Sequence, residues 1–262
     1  MPVSLEQILI AARGRLPALA ADRALLERAA SDAPRPPAFS AALRRPHVAV
    51  IAEVKRRSPS AGTIREDLDP ADRAERYARH GAAAISVLTD TEFFGGSLDD
   101  LRAAVGRTAV PVLRKDFILD ELQVLEARAA GAAAVLLIVR ALTQPRLVAL
   151  LACVREAGLE ALVEVHTGGE VERALDSGAE VLGVNSRDLD SFRIDTDTAW
   201  ALLQEVPARC VAVAESGMAT PADVSAAAAA GADAVLIGTA LSAAADPDAL
   251  LARLSALPRQ GR

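Results

Sequence analysis

Short apolar runs that stop at a polar or charged residue recur along this chain, and a stretch with helical spacing follows each of them. Continuous apolar runs bounded by helices are typical of parallel strands that are buried on both faces. Eight such runs are present: 48–55, 82–90, 110–116, 133–140, 160–166, 180–188, 210–216 and 233–239. This pattern predicts an α/β fold, an eight-stranded parallel β/α (TIM) barrel, which typically needs about 250 residues.

The segment before the first run predicts an N-terminal helical extension. Apolar residues recur in it at helical spacing: Leu5, Ile8, Leu9 and Ala12. The proline-rich stretch 33–39 predicts an extended connector. A segment of about 46 residues is at the lower limit for independent folding, so we expect residues 1–46 to pack on a barrel domain formed by residues 47–262. A separate small domain on a linker stays the alternative, as does an open doubly wound sheet, although no G-x-G-x-x-G follows the first run.

Composition narrows the class of protein. The chain has 29 basic and 35 acidic residues, a net charge of −6, which argues against a nucleic-acid partner. We see no secretory signal, and the least charged stretch, 224–245, is interrupted by Gly231 and Asp233, so we expect no membrane span. Cys153 and Cys210 have no metal-ligand spacing and indicate reduced thiols in a cytoplasmic protein. The pattern is compatible with a monomer or a weak homodimer.

The polar residues at the ends of the runs are the candidate chemistry, because barrel active sites lie at the carboxyl ends of the strands. Residues two apart share a face of a strand, so Glu53 and Lys55 both point into the barrel, while Ala52 and Val54 face the helices. Buried charges are costly unless they are used or paired. A purely structural ion pair between Glu53 and Lys55 is the alternative.

Later runs add further polar groups at the same edge of the barrel. Lys115 ends the third run, Glu164 the fifth, and Asn185 the sixth, with Arg187 following. Two lysines can donate a proton and hold an anion, while a glutamate accepts a proton or stabilises a cation. A desolvated lysine near another cation has a lowered pKa, so we expect a lysine general acid that works near neutrality. A Schiff-base role for Lys55 or Lys115 stays open.

The last two runs predict a phosphate site. Residues 215–217 read Glu-Ser-Gly, and residues 238–239 read Gly-Thr before a short helical stretch. Barrel enzymes often bind phosphate on the backbone amides of these two loops. Glycines that only form turns are the alternative. Ser58 and Ser60, after the first run, are candidate donors to the same anion.

Aromatic residues cluster after the second and third runs. Phe93, Phe94 and Phe117 fall in loops, and we expect Phe94 and Phe117 to form an apolar wall for an aromatic ring, with local packing as the alternative. His166 shares a face with Glu164 and is a candidate only for the rim. No His, Asp or Glu spacing indicates a metal site.

Six motifs, in order along the chain, resemble those of the indole-3-glycerol phosphate synthase family. They are IAEVKRRSPS (51–60), LTDTEFFGGS (88–97), PVLRKDFILDELQ (111–123), LVEVHTGGEVERAL (162–175), GVNSRDLDSF (183–192) and AESGM (214–218). The resemblance covers residues 46 to 255. It implies a carboxy-lyase of tryptophan biosynthesis that closes the ring of 1-(2-carboxyphenylamino)-1-deoxyribulose 5-phosphate, releasing carbon dioxide and water. It implies no cofactor, since the protonated carbonyl of the substrate is the electron sink.

The resemblance also implies the catalytic roles. Lys115 protonates the ribulose carbonyl oxygen, Lys55 holds the anthranilate carboxylate, and Glu164 stabilises the cationic intermediate or takes a proton during dehydration. The division of acid work between the two lysines stays open. Of the remaining residues implied for catalysis, Glu53 and Asn185 orient the leaving hydroxyl, and Ser216 supports them.

The binding residues follow from the same resemblance. Four residues contact the phosphate: Ser58, Gly217, Gly238 and Thr239. Two line the mouth: Arg187 and Glu215. Five form the apolar walls: Phe94, Phe117, Leu136, Leu189 and Leu236.

Two other functions are weighed against this one. A phosphosugar isomerase of the phosphoribosylanthranilate isomerase type uses a cysteine base and an aspartate acid, and no cysteine ends a run here. A non-catalytic barrel paralogue would keep buried charges that carry only cost. The family often has two asparagines where this chain has Asn185 and Ser186, and that departure removes no catalytic group.

Overall fold

The chain folds into eight central strands surrounded by helices. The computed structural model describes residues 4–59 and 62–260, so the candidate phosphate donor Ser60 lies outside the described residues. The central strands are β1 (Ala49–Val54), β2 (Ala84–Leu88), β3 (Val112–Lys115), β4 (Ala134–Ile138), β5 (Glu160–Val165), β6 (Val181–Asn185), β7 (Val211–Glu215) and β8 (Ala234–Ile237). Each lies within one of the apolar runs.

The eight strands form one closed parallel barrel. Each strand pairs with the next along the chain, and β1 also pairs with β8 through Ala49 with Ala234 and Ala52 with Ile237. The prediction of an eight-stranded parallel barrel is therefore confirmed. All carboxyl ends of the strands meet at one edge, which brings their polar end residues together.

Helices cover the outside of the barrel, and further helices precede it. Their bounds are α1 (Leu5–Ala21), α2 (Arg23–Asp32), α3 (Phe39–Leu43), α4 (Pro70–Arg79), α5 (Thr91–Phe94), α6 (Leu98–Val105), α7 (Glu121–Ala129), α8 (Gln144–Glu156), α9 (Gly168–Asp176), α10 (Thr196–Glu205), α11 (Pro221–Ala229), α12 (Thr239–Ala243) and α13 (Pro247–Ser255). A short antiparallel pair, Arg57–Ser58 with Gly62–Thr63, follows β1. Within the described part of the chain, no helix is both long enough and apolar enough to span a membrane.

Side-chain alternation along the strands produces two apolar layers. One face of each strand packs against the helices, with Ala52 and Val54 of β1 on that side, as predicted. The opposite face fills the barrel and forms the inner core, which includes Ile51, Leu113, Leu136, Leu162, Val213 and Leu236. Phe39 and Leu43 of α3 are fully buried in this inner core, so the N-terminal segment fills the end of the barrel.

Polar contacts attach the N-terminal segment to the barrel. The Glu160 carboxylate accepts hydrogen bonds from the backbone N–H groups of Phe39, at 2.6 Å, and Ser40, at 3.0 Å. These are donors that the first turn of a helix leaves without intrahelical partners. Arg128 of α7 donates to the backbone carbonyls of Ala33 and Pro34. The contacts support our proposed division into an extension, 1–46, packed on a barrel domain.

Candidate active site

A cavity of about 460 Å³ opens at the carboxyl ends of the strands. The residues that the family resemblance implies for catalysis and substrate binding line it. These are Glu53, Lys55, Ser58, Phe94, Lys115, Phe117, Leu136, Glu164, Asn185, Arg187, Leu189, Glu215, Ser216, Gly217, Leu236, Gly238 and Thr239. The barrel thus brings together residues that are far apart in sequence.

Glu53 and Lys55 form a close ion pair at the end of β1. Lys55 Nζ lies 2.8 Å from Glu53 Oε1. Burial would raise the pKa of Glu53, but Lys55 and Lys115 lower it below its usual value, so the carboxylate is charged. The absence of a side chain at Gly238 makes room for the pair, since a Cβ atom there would lie 2.2 Å from Glu53 Oε1.

Lys115 lies among carboxylates at the end of β3. Its Nζ is 3.5 Å from Glu164 Oε2 and 3.5 Å from Glu215 Oε2. Burial would lower the pKa of Lys115, but Glu164, Glu215 and Glu53 together raise it well above its usual value. The expectation of a lowered lysine pKa is therefore wrong for Lys115, because carboxylates dominate its surroundings. The lysine is fully protonated at neutral pH.

Glu215, at the end of β7, is mostly protonated at neutral pH. Burial, with the nearby charge of Glu164, raises the pKa of Glu215 to about 8, although Lys115 opposes the change. Space for its carboxyl group comes from Gly183 of β6, where a Cβ atom would lie 2.0 Å from Glu215 Oε1. A buried carboxyl group with a raised pKa can hold or donate a proton near neutral pH.

The loop after β6 forms one wall of the cavity. Asn185 Oδ1 accepts a hydrogen bond of 3.0 Å from the backbone N–H of Arg187. The Arg187 guanidinium donates to the carbonyl of Phe192, a residue with a positive φ of 57°. Burial lowers the pKa of Arg187, and Glu53 opposes this change. These contacts hold the arginine at the mouth, facing the site.

The turn after β7 has an uncommon backbone. Ser216 and Gly217 have φ values of 65° and 77°, and left-handed residues other than glycine cluster at functional sites. On the neighbouring strand, α12 begins at Thr239 directly after Gly238, so the predicted short helix after the eighth strand is present. Both turns line the same end of the cavity as Ser58.

Aromatic rings also line the cavity, after the second and third strands. The rings of Phe94, in α5, and Phe117, after β3, have centroids 6.2 Å apart at an angle of 37°. Phe93 does not line the cavity; its backbone N–H donates to Asp90 at the start of α5. The cavity is therefore apolar at one side and charged at its floor.

Metal ligands and a catalytic cysteine are the groups that two other kinds of chemistry would require in the cavity. Among the described residues, no group of His, Cys, Asp and Glu is arranged to hold a metal ion. Cys153 lies in α8, and Cys210 lies at the amino end of β7, so neither cysteine lines the cavity. The cysteine base of the isomerase alternative has no counterpart here.

Several lining residues are not predicted by sequence. The apolar additions include Pro59, Phe192, Ile194 and Met218. Gly183 is also missed, although a glycine inside a strand often marks a close approach of another group. The apolar residues carry no sequence signal, because their place depends on how the loops fold back over the cavity.

The sequence of this chain is similar to those of a known enzyme family. The family model described as indole-3-glycerol phosphate synthase matches residues 5–254, nearly the whole chain. The chain belongs to the indole-3-glycerol phosphate synthase family. The chain is also similar in sequence to indole-3-glycerol phosphate synthases from individual organisms. That of Mycobacteroides abscessus is 50% identical, covering 89% of this chain and 86% of the relative. That of Opitutus terrae is 46% identical, covering 98% of this chain and 100% of the relative.

Solved structures show the fold alone. A 3-hexulose-6-phosphate synthase aligns with a TM-score of 0.63 at 18% identity, covering 80% of this chain and 99% of that structure. A thiamine phosphate pyrophosphorylase from Pyrococcus furiosus aligns with a TM-score of 0.61 at 16% identity, covering 81% and 95%.

Proposed function

We propose that this protein catalyses the ring closure of 1-(2-carboxyphenylamino)-1-deoxyribulose 5-phosphate to indole-3-glycerol phosphate, with loss of carbon dioxide and water, in tryptophan biosynthesis. Family membership supports the reaction. The observation that carries it is the position of Lys115, whose Nζ lies 3.5 Å from each of two buried glutamates at the floor of the cavity. This arrangement holds a proton donor beside a proton acceptor in a site shielded from water.

Lys115 is the proton donor in this proposal. Its raised pKa keeps it protonated, so it can donate to the ribulose carbonyl oxygen as the ring carbon attacks. Because the lysine is fixed before the reaction, its charge also stabilises the negative charge that develops on that oxygen. Lys55, paired with Glu53 on the neighbouring wall, holds the anthranilate carboxylate until it leaves as carbon dioxide.

Glu164 and Glu215 divide the remaining proton work. With a pKa of about 8, Glu215 is mostly protonated at neutral pH and can hold or donate a proton there. Glu164 then stabilises the cationic intermediate or takes a proton during dehydration. Of the other residues proposed for catalysis, Glu53 and Asn185 orient the leaving hydroxyl, and Ser216 supports them.

The lining residues form two sets that suit the phosphate and the aromatic ring of the substrate. We assign the phosphate to Gly217, Gly238 and Thr239, in the turns after β7 and β8, and to Ser58, after β1. The aromatic ring of the substrate packs between the apolar walls, formed by Phe94, Phe117, Leu136, Leu189 and Leu236. Arg187 lines the mouth. Glu215, which the resemblance also places at the mouth, is instead buried beside Lys115.

The test is a fluorescence assay of the purified protein with the carboxyphenylamino-deoxyribulose phosphate. We expect an indole product without added cofactor, and loss of product in Glu164→Gln. Glu172→Gln, an exposed glutamate on α9, is the matched control and should keep wild-type activity. A folded wild-type protein that binds this substrate without turning it over would contradict the proposal.

We also propose that the protein works in the cytoplasm as a monomer or weak homodimer, on a small molecule rather than on nucleic acid or a membrane. Neither Cys153 nor Cys210 forms a disulfide bond. The large apolar side chains exposed among the described residues lie on separate elements: Ile10, Leu25, Val148 and Ile194. Scattered exposed apolar residues are normal for a protein surface and do not require a partner.

A further inference from the structure

His166 lies behind the cavity, between two carboxylates. It directly follows β5 and shares a face with Glu164, two residues earlier. Its side chain is only 4% exposed, and its Nε2 is 3.6 Å from Glu164 Oε1. On its other side, Nδ1 is 3.5 Å from Glu170 Oε2. His166 does not line the cavity, so the rim position considered from sequence is wrong.

Glu170 is fixed on the far side of the ring. It lies in the first turn of α9, where Oε2 accepts a 2.7 Å hydrogen bond from the backbone N–H of His166. Its Oε1 faces Arg140, which also pairs with Asp188. Burial would raise the pKa of Glu170, but the His166 ring, its backbone N–H and Arg140 together lower it. Glu170 is therefore a stable negative charge facing Nδ1.

The ring can satisfy both carboxylates in one protonation state only. A neutral imidazole has one N–H donor, whereas imidazolium has two. With Glu170 facing Nδ1 and Glu164 facing Nε2, imidazolium presents a donor to each. Contacts of 3.5–3.6 Å are long for hydrogen bonds, and catalytic hydrogen bonds often tighten only when the substrate binds.

The position of His166 distinguishes the two glutamates that share Lys115. Glu164 faces Lys115 through Oε2 and His166 through Oε1. Glu215 also lies near Lys115, but its carboxyl group turns toward the space at Gly183. A carboxylate with two cationic neighbours keeps its charge more readily than one with a single shared neighbour.

We propose that His166 is a positioning residue that keeps Glu164 ionised and oriented as the base of the reaction. The assignment rests on the proposed function, because it gives His166 its role through Glu164. The charged groups around the ring are Glu164 on its own strand and Glu170 on α9, with Arg140 beyond Glu170.

The experiment is the pH dependence of kcat and KM for His166→Leu and His166→Gln beside wild type. Leu removes both donors, so the acid side of the kcat/KM profile should move up by about one pH unit or more, and kcat at pH 7 should fall about tenfold. KM should change little, since His166 touches no substrate. Gln keeps an N–H donor and should restore most of the activity. His80→Leu, directly after the outer helix α4, is the matched histidine control.

Glu170→Gln keeps an acceptor for the His166 backbone N–H but removes the charge that favours imidazolium. It should move the acid side of the kcat/KM profile to higher pH by a smaller amount than His166→Leu. If His166→Leu does not fold, this variant tests the role of His166 in its place. Unchanged profiles would overturn the assignment, as would equal losses in the Leu and Gln variants without a pH shift. A wild type without turnover would instead overturn the proposed function, and this assignment with it.

Discussion

Gly183 and Gly238 lie where buried carboxyl groups come closest to the backbone of a neighbouring strand. A Cβ atom at Gly183 would lie 2.0 Å from Glu215 Oε1, and one at Gly238 would lie 2.2 Å from Glu53 Oε1. Neither glycine has a positive φ, so backbone conformation does not require it. The site therefore depends on missing side chains as well as on charged ones.

We expect Gly183→Ala to displace Glu215 and to reduce kcat about tenfold or more. Overpacking in a rigid core typically costs about 1–3 kcal/mol, so the free energy of unfolding should fall by that amount. Gly14→Ala is the matched control, because a Cβ there has no atom within 4 Å in the middle of α1. It should leave kcat unchanged and increase stability by up to about 1 kcal/mol. Equal kcat values for the two variants would contradict the close-approach argument.

The strand-end charges could be predicted residue by residue, because period-two alternation places Glu53 and Lys55 on one face whatever surrounds them. Their protonation states could not be predicted from sequence. Lys115 looks from sequence like a lysine beside another lysine, yet the carboxylates of three other strands decide its pKa. The partners of a buried charge depend on barrel register, which local sequence does not contain.

At the scale of elements, α1 reaches the active-site edge of the barrel. Arg15 Nη2 of α1 lies 3.0 Å from Asp116 Oδ1, and Asp116 directly follows Lys115. Asp116 Oδ2 also pairs with Arg114 and accepts a hydrogen bond from Thr89. Burial would raise the pKa of Asp116, but Arg114 and Arg15 lower it. The extension thereby supports the backbone that carries Lys115.

Arg15→Ala should weaken this support. Asp116 keeps Arg114, so we expect a loss of about 1–2 kcal/mol in the free energy of unfolding, measured in urea, and a several-fold lower kcat/KM. Arg23→Ala, which removes an exposed pair with Glu27, is the control and should cost less than about 0.5 kcal/mol. If both variants behaved alike, α1 would have no special link to the site.

The helix that carries Arg15 could be predicted from apolar spacing, but its partner could not. Leu5, Ile8 and Ala12 of α1 are buried, as the pattern indicates. The Arg15–Asp116 contact joins residues separated by 101 positions, so it follows from the packing of the extension and from no local signal.

For the whole molecule, barrel closure is what assembles the site. The lining residues come from strands that are distant in sequence and meet because all carboxyl ends face one edge. The closed barrel and the edge that holds the site were the features most predictable from sequence. Eight buried parallel strands have few closed arrangements, and barrel active sites lie at the same edge. The depth and walls of the cavity were less predictable from sequence. Loop residues such as Phe192 and Ile194 line it because of how the loop after β6 folds, which no local pattern indicates.

The most direct measurement is the turnover of Lys115→Met beside wild type, with folding checked by circular dichroism and substrate binding by fluorescence titration. The variant keeps a side chain of similar length without its proton. We predict a loss of kcat of about 10²–10⁴-fold with binding changed only a few fold, as for removal of a general acid. Turnover within tenfold of wild type would contradict the assignment of Lys115 as the proton donor of the ring closure.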